Sequence, residues 1–186
     1  MLTKLSDTLR KYVNGWLVLL FLAGEMIFNA VILPGQQAKI EAGSGGFGPI
    51  DLQLFYTPEK IYGMIEAYSP ELRMSYRTFE MTGDIIYPIV YTLFFSLAIT
   101  WLFQRGFASN SKMQKYNVLP FGAWLFDLLE NICIVIMLTI YPSTPSALAW
   151  ISAVFTLVKW SFAGITVILL LIGLAMAIKN GFKKQA

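Results

Sequence analysis

The chain has 186 residues, of which 56% are apolar and only 13% charged, enough for one domain or one compact set of packed helices. Mean hydropathy is +0.61, and the net charge of +3 is spread over the chain ends and one loop, a balance that does not suggest a nucleic-acid partner. With no His and a single Cys, the commonest metal ligand, the commonest neutral-pH acid–base group and any intramolecular disulfide are missing, so proton chemistry falls to carboxylates, Lys and Tyr.

The first 11 residues, Met1 to Lys11, form an amphipathic lead with Lys4, Arg10 and Lys11 against Asp7. Residues 12–33 are apolar apart from Asn14, Glu25 and Asn29. At about 1.5 Å per residue this run reaches about 33 Å, enough to cross a bilayer. Pro34-Gly35 predicts its end. A cleaved signal peptide is the rival reading, because basic residues precede the apolar core and Ala38 follows it. The core is too long for that and contains Glu25.

Residues 35–56 lack helical period and carry Gly43, Gly45, Gly46 and Gly48 around Ser44. A lid or an amide nest for an anion is one reading, but no strand or GKS pattern adjoins, and a pliable connector is preferred. Thr57-Pro58-Glu59 and Ser69-Pro70-Glu71 each combine a capping hydroxyl, a Pro at the first helical position and an acid in the first turn. The first start predicts a helix to Tyr68 with Ile61, Met64, Ile65 and Tyr68 on one face, lying on the membrane or across the mouth of the bundle. The second predicts a helix from Pro70 that runs unbroken into a second span, 81–103. Pro88 should kink that span and free the carbonyl one turn earlier, at Asp84.

A basic loop with Arg105, Lys112 and Lys115 leads to a third span, 117–141, stopped by Pro142 and Pro145. The short uncharged connector 142–149 makes spans three and four antiparallel neighbours. The fourth span, 150–178, closes in Lys179, Lys183 and Lys184. The expected fold is all-α: a single integral membrane domain over 1–186, built as a four-transmembrane-helix bundle with a short interfacial helix in the long extracytoplasmic loop 34–80. The lead, the basic loop and the tail hold Lys4, Arg10, Lys11, Arg105, Lys112, Lys115, Lys179, Lys183 and Lys184, against Lys39, Lys60, Arg73 and Arg77 on the other side. By the positive-inside rule, both termini are expected in the cytoplasm of a multi-pass cell-membrane protein.

Ionisable groups inside spans are costly, about 2.5 to 3.5 kcal/mol each at a helix centre on insertion scales, and they mark functional interiors. Here they are Glu25, Asp84, Asp127, Glu130 and Lys159. By helical rise, Glu25 and Glu130 lie about 20 Å from the cytoplasmic end, Asp127 about 15 Å, and Lys159 about 14 Å in from the outside. All five therefore fall between the midplane and the outer interface. Neighbours at three and four residues share a face. The polar faces read as Glu25 with Asn29; Asp84 with Tyr87 and Tyr91; Trp124 with Asp127, Glu130 and Asn131; and Ser152, Thr156, Lys159 and Ala163. Such faces should meet around one cavity, with Lys159 the counter-ion and Arg73 and Arg77 placed to neutralise surplus acid.

Three readings stay open on these residues. One is a pocket for a lipid-like or small amphiphilic molecule, with carboxylates as acid and base and Tyr87, Tyr91, Trp124 and Trp160 as walls. A second is a proton- or cation-coupled carrier, which with four spans would need a dimer. The third is a structural or partner-binding subunit in which the charges fix helix register. No cofactor or metal site is expected: carboxylate-only divalent binding lacks a D-x-D type loop, and no triad or phosphate-loop pattern occurs. Membrane lipid is the expected partner, and a homo-oligomer is compatible with all three readings.

Three stretches, Tyr56-Thr57-Pro58-Glu59, then Phe79-Glu80 leading to Asp84 and Tyr87-Pro88, then Phe126-Asp127 with Glu130-Asn131 and later Thr156-Leu157 with Lys159-Trp160, resemble a family of small bacterial membrane proteins with four spans. The resemblance covers about residues 50 to 175 and implies architecture only, since no activity comes with it.

Overall fold

The computed structural model describes residues 2–183, and among them every regular element is helical. Four helical runs are long and apolar enough to cross a membrane: Gly15–Gly43, Pro70–Gly106, Lys112–Ile140 and Ser146–Gly181. Before them comes helix α1 (Leu2–Tyr12). The first run contains α2 (Gly15–Ile27), a π-helical stretch Phe28–Ile32 and α3 (Leu33–Gly43). Helix α4 (Pro58–Ala67) precedes the second run, made of α5 (Pro70–Glu80) and α6 (Gly83–Gly106). The third joins a 3₁₀ stretch, Lys112–Val118, to α7 (Pro120–Ile140), and α8 (Ser146–Lys183) is the fourth. Met1 and Lys184, counted above with the basic ends, lie outside the described residues.

Two boundaries differ from expectation, each for a physical reason. Pro34 does not end the first run. It sits in the first turn of α3, where a missing N–H costs little, and the widened π turn before it (Leu33 N–H donating to Phe28 O) accommodates its ring. Conversely, α5 does not pass unbroken into α6. Thr82 N–H closes a tight turn onto Phe79 O at 3.0 Å, and the chain restarts at Gly83, where a Cβ would stand 2.6 Å from the Phe79 ring. The glycine is what lets that ring fold back over the turn. Both expected N-caps are present: Thr57 Oγ1 accepts from Lys60 N–H at 3.4 Å and Ser69 Oγ from Leu72 N–H at 3.2 Å.

Packing divides the chain into two compact units. One unit takes residues 2–25, 90–123 and 161–183 of those described. Its apolar core is Ile99, Phe103 and Leu169, with Phe107, Met113, Leu119 and Leu170 against it. Polar side chains tie its irregular parts to the helices. Gln114 Nε2 donates to Phe103 O at 3.0 Å, near the end of α6. Asn117 Nδ2 donates to Thr100 Oγ1 at 2.9 Å, and Ser6 Oγ donates to Gln114 O at 3.4 Å. Asn180 Nδ2 donates to Gly106 O at 2.9 Å. The three basic segments, lead, loop and tail, are thus held together within this unit.

The other unit takes residues 26–89 and 124–160. Helix α4 buries Ile61, Tyr62, Met64 and Ile65 in a core shared with Cys133, Ile134, Met137 and Leu138 of α7 and Ala149 and Ala153 of α8. The face read from the sequence is the buried one, and it packs on α7 and α8. The two alanines, one turn apart, leave room for that approach. Residues 44–57 are ordered as a strap: it turns at Gly45 and Gly46 (φ +70° and +106°), buries Ile50 and Tyr56 completely, and delivers Asp51 to the helices.

Candidate functional site

Within this second unit, α7 and α8 present their acids and lysine to each other. Lys159 Nζ lies 2.6 Å from Glu130 Oε2 and 3.3 Å from Asp127 Oδ1, and it donates to the backbone carbonyl of Asp51 at 3.1 Å. Asp127 and Glu130 are three residues apart on one helix face, so one ammonium reaches both. Lys159 is 8% exposed and Glu130 fully enclosed, which makes this a desolvated pair whose removal in halves is expensive.

A hydroxyl chain extends from Glu130. Thr156 Oγ1 donates to Glu130 Oε1 at 2.6 Å, and the Tyr56 hydroxyl lies 3.2 Å from Thr156 Oγ1 and 2.6 Å from Ser152 Oγ. Ser152, Thr156 and Lys159 share a face of α8 by helical spacing, and all three are buried. Burial, with the charge of Glu130 nearby, pushes the Tyr56 hydroxyl up to about 12, so it stays protonated at neutral pH.

Asp84 is held by Asn131. The Asn131 amide donates to Asp84 Oδ2 at 2.7 Å and to Asp84 O at 2.9 Å. The second bond answers the carbonyl that Pro88, lying inside α6, leaves without its helical donor. A further acid, Glu80, is buried to 1% exposure four residues before Asp84. Tyr76, another turn back, donates its hydroxyl to Asp51 Oδ1 at 2.6 Å and accepts from Ile50 N–H at 2.9 Å. Among the described residues no group of three acid, Cys or His side chains is arranged to hold a metal ion.

The site residues expected from sequence are distributed as follows. Asp84, Asn131, Asp127, Glu130 and Lys159 all belong to this unit, the first two joined as one pair and the last three as one cluster. Asn29 and Tyr87 form a pair of their own at 3.3 Å, with the Tyr87 ring 5.1 Å from that of Phe28. Trp124 is half-buried here, and Trp160 is 36% exposed with its ring 5.5 Å from Lys159 Nζ. Glu25 and Tyr91 fall in the other unit. Arg73 and Arg77 do not neutralise the acids: Arg73 donates to Ile65 O and lies over the Tyr141 ring, and Arg77 donates to Thr139.

Sequence reading did not assign Asp51, Tyr56, Tyr76 or Glu80 to the site. A signal existed for two of them, since Tyr76, Glu80 and Asp84 repeat at one-turn spacing. For Asp51 and Tyr56, in an aperiodic segment, none did. Comparison of the chain with protein-family models, with curated proteins and with solved structures finds no match. The chemistry of the buried centre alone, then, has to indicate what the molecule does.

Proposed function

We propose that this protein is a multi-pass cell-membrane protein, with both termini cytoplasmic, that holds the polar head of a lipid-like or small amphiphilic molecule at the Asp127–Glu130–Lys159 centre beneath the strap 44–57. The observation that supports this reading most is the origin of the centre's partners. The Asp51 carbonyl and the Tyr56 hydroxyl come from an irregular segment outside the four long runs, yet the first accepts from the buried Lys159 ammonium and the second bonds Thr156, the donor to Glu130. A strap fastened to an ionised centre by side chains and one carbonyl can be exchanged for a ligand that makes the same bonds. A helix-to-helix tie could not be opened that way without parting the helices.

Native mass spectrometry of gently extracted protein tests it. Wild type should retain an amphiphile, and Asp127→Asn and Glu130→Gln should each lose it while still eluting as a folded, monodisperse species. An empty wild type, or the collapse of both variants, would reduce the centre to a fold-fixing tie.

A structural or partner-binding role is the second reading, favoured by one observation. The apolar window of the first long run has none of its residues buried by the rest of the chain. A second copy or another membrane protein would cover it, and in that case native spectra show a discrete oligomer or complex in place of bound lipid.

A further inference from the structure

The strap and the helix that follows it have opposite surface chemistry. The exposed residues of α4 are Glu59, Lys60, Gly63 and Glu66, while Ile61, Tyr62, Met64 and Ile65 are buried. The strap 44–57 is the reverse. Its one charge, Asp51, is turned onto the protein, with Oδ1 accepting from Tyr76 and the carbonyl accepting from Lys159. Its one amide side chain, Gln53, accepts from Lys60 Nζ at 2.7 Å. The side chains it exposes are Phe47, Leu52, Leu54 and Phe55, followed by the capping Thr57. Leu54 is 66% exposed, and the other three apolar residues are about half-exposed.

Single exposed apolar residues are ordinary, but four large ones within residues 47–55 form a patch, and such a patch marks a contact surface. Its neighbour identifies the contact. The Phe55 ring lies 6.1 Å from the ring of Trp150, in the opening turns of α8. Trp150, Ile151 and Val154 are themselves exposed, at the head of the fourth membrane-crossing run. The strap's patch is thus joined to a surface that faces lipid, through an aromatic pair at the level where aromatic side chains border a bilayer. The strap's backbone suits that place as well. Ile50 N–H donates to the Tyr76 hydroxyl and Gln53 N–H to Ile50 O, while Gly48 O accepts from Tyr68 and Asp51 O from Lys159. Irregular backbone beside a membrane has to find its partners within the protein, and these four groups do.

We propose that the strap, and not α4, is the part of this loop that contacts the membrane. Leu52, Leu54 and Phe55 insert into the leaflet that borders the head of α8, while the charged face of α4 stands in water. The contact is independent of what the Lys159 centre holds. One consequence rests on the amphiphile reading above: a strap fastened to Lys159 on one side and to the leaflet on the other makes lipid, rather than water, the phase from which a guest arrives.

The test is nitroxide labelling of full-length protein carrying Cys133→Ala, reconstituted in phosphatidylcholine vesicles. Labels are placed by Leu52→Cys and Leu54→Cys on the strap, by Glu66→Cys on α4, and by Val154→Cys on α8 as the lipid-facing reference. Power saturation compares collisions with oxygen, which concentrates in lipid, and with a water-soluble nickel chelate, which does not. Labels at 52 and 54 should favour oxygen, as the label at 154 does, and the label at 66 should favour the chelate. If the strap labels favour the chelate, the strap lies in water and the proposal falls, while an amphiphile retained in native mass spectra would still stand. If neither reagent reaches the strap labels, a second copy of the chain covers the patch, which also overturns the lipid contact. A label at 66 that favours oxygen would return the contact to α4. Two strap positions keep the readout should one variant fail to fold.

Discussion

Thr156 shows how closely the centre is tuned. Its one hydroxyl hydrogen goes to Glu130 Oε1 at 2.6 Å, while the Tyr56 hydroxyl, from the strap, lies 3.2 Å from Thr156 Oγ1. The group is therefore both a donor to a buried anion and the link by which the strap reaches α8. Thr156→Val keeps the shape and deletes the donor. Because the carboxylate oxygen it leaves behind is buried, the loss should be about 1 to 3 kcal/mol, more than an ordinary hydrogen bond contributes. Thermal unfolding in detergent should show Thr156→Val clearly less stable than wild type and Thr156→Ser close to it, since serine restores the hydroxyl. Equal stability of the Val and Ser variants would mean that Glu130 draws nothing from this donor.

Among the elements, glycines separate close approach from slack. At Gly106, the last residue of α6, an added Cβ would meet Met176 Cβ at 2.8 Å and the backbone nitrogen of Ala177 at 3.1 Å. Backbone cannot step aside as a flexible side chain can, so α6 and α8 must part there. Gly63, on the exposed side of α4, has nothing within 4 Å. Gly106→Ala should therefore cost about 1 to 3 kcal/mol through overpacking, whereas Gly63→Ala should gain about 0.5 to 1 kcal/mol from helix propensity. Unfolding temperatures moving in the same direction for both variants would contradict this reading of the α6–α8 contact. Elements were also where sequence was most informative. The Pro88 kink implied a free carbonyl at Asp84, and the Asn131 side chain takes it. The spacing of Asp127, Glu130 and Lys159 implied one ion cluster, which α7 and α8 form. Helical period, however, reveals which residues share a face and not which helix that face meets, so Glu25 and Tyr91 could not be assigned to a unit from their own helices. Asp51 and Tyr56 were illegible for another reason: their partners lie 108 and 96 residues away, on helices whose periodicity says nothing about a strap.

For the whole molecule, the question is which side of the membrane the strap faces. The lead, the basic loop and the tail are gathered in one unit by Ser6, Gln114, Asn117 and Asn180. They carry most of the Lys and Arg residues, while the strap and α4 belong to the other unit. Lysine and arginine resist translocation during insertion, so the gathered segments should stay in the cytoplasm and α4 should cross. The single Cys133 is buried at 6% exposure, which makes a Cys133→Ala background suited to accessibility labelling. In that background Lys112→Cys, exposed in the basic loop, should resist a membrane-impermeant maleimide in intact cells and react after permeabilisation. Glu66→Cys, exposed on α4, should react in intact cells. The opposite pattern would invert the topology, and it would move the ligand's entry with it. Because the strap leads directly into α4, on the amphiphile reading a labelled α4 means entry to Lys159 from the outer leaflet, whereas a protected α4 means entry from the cytoplasmic one.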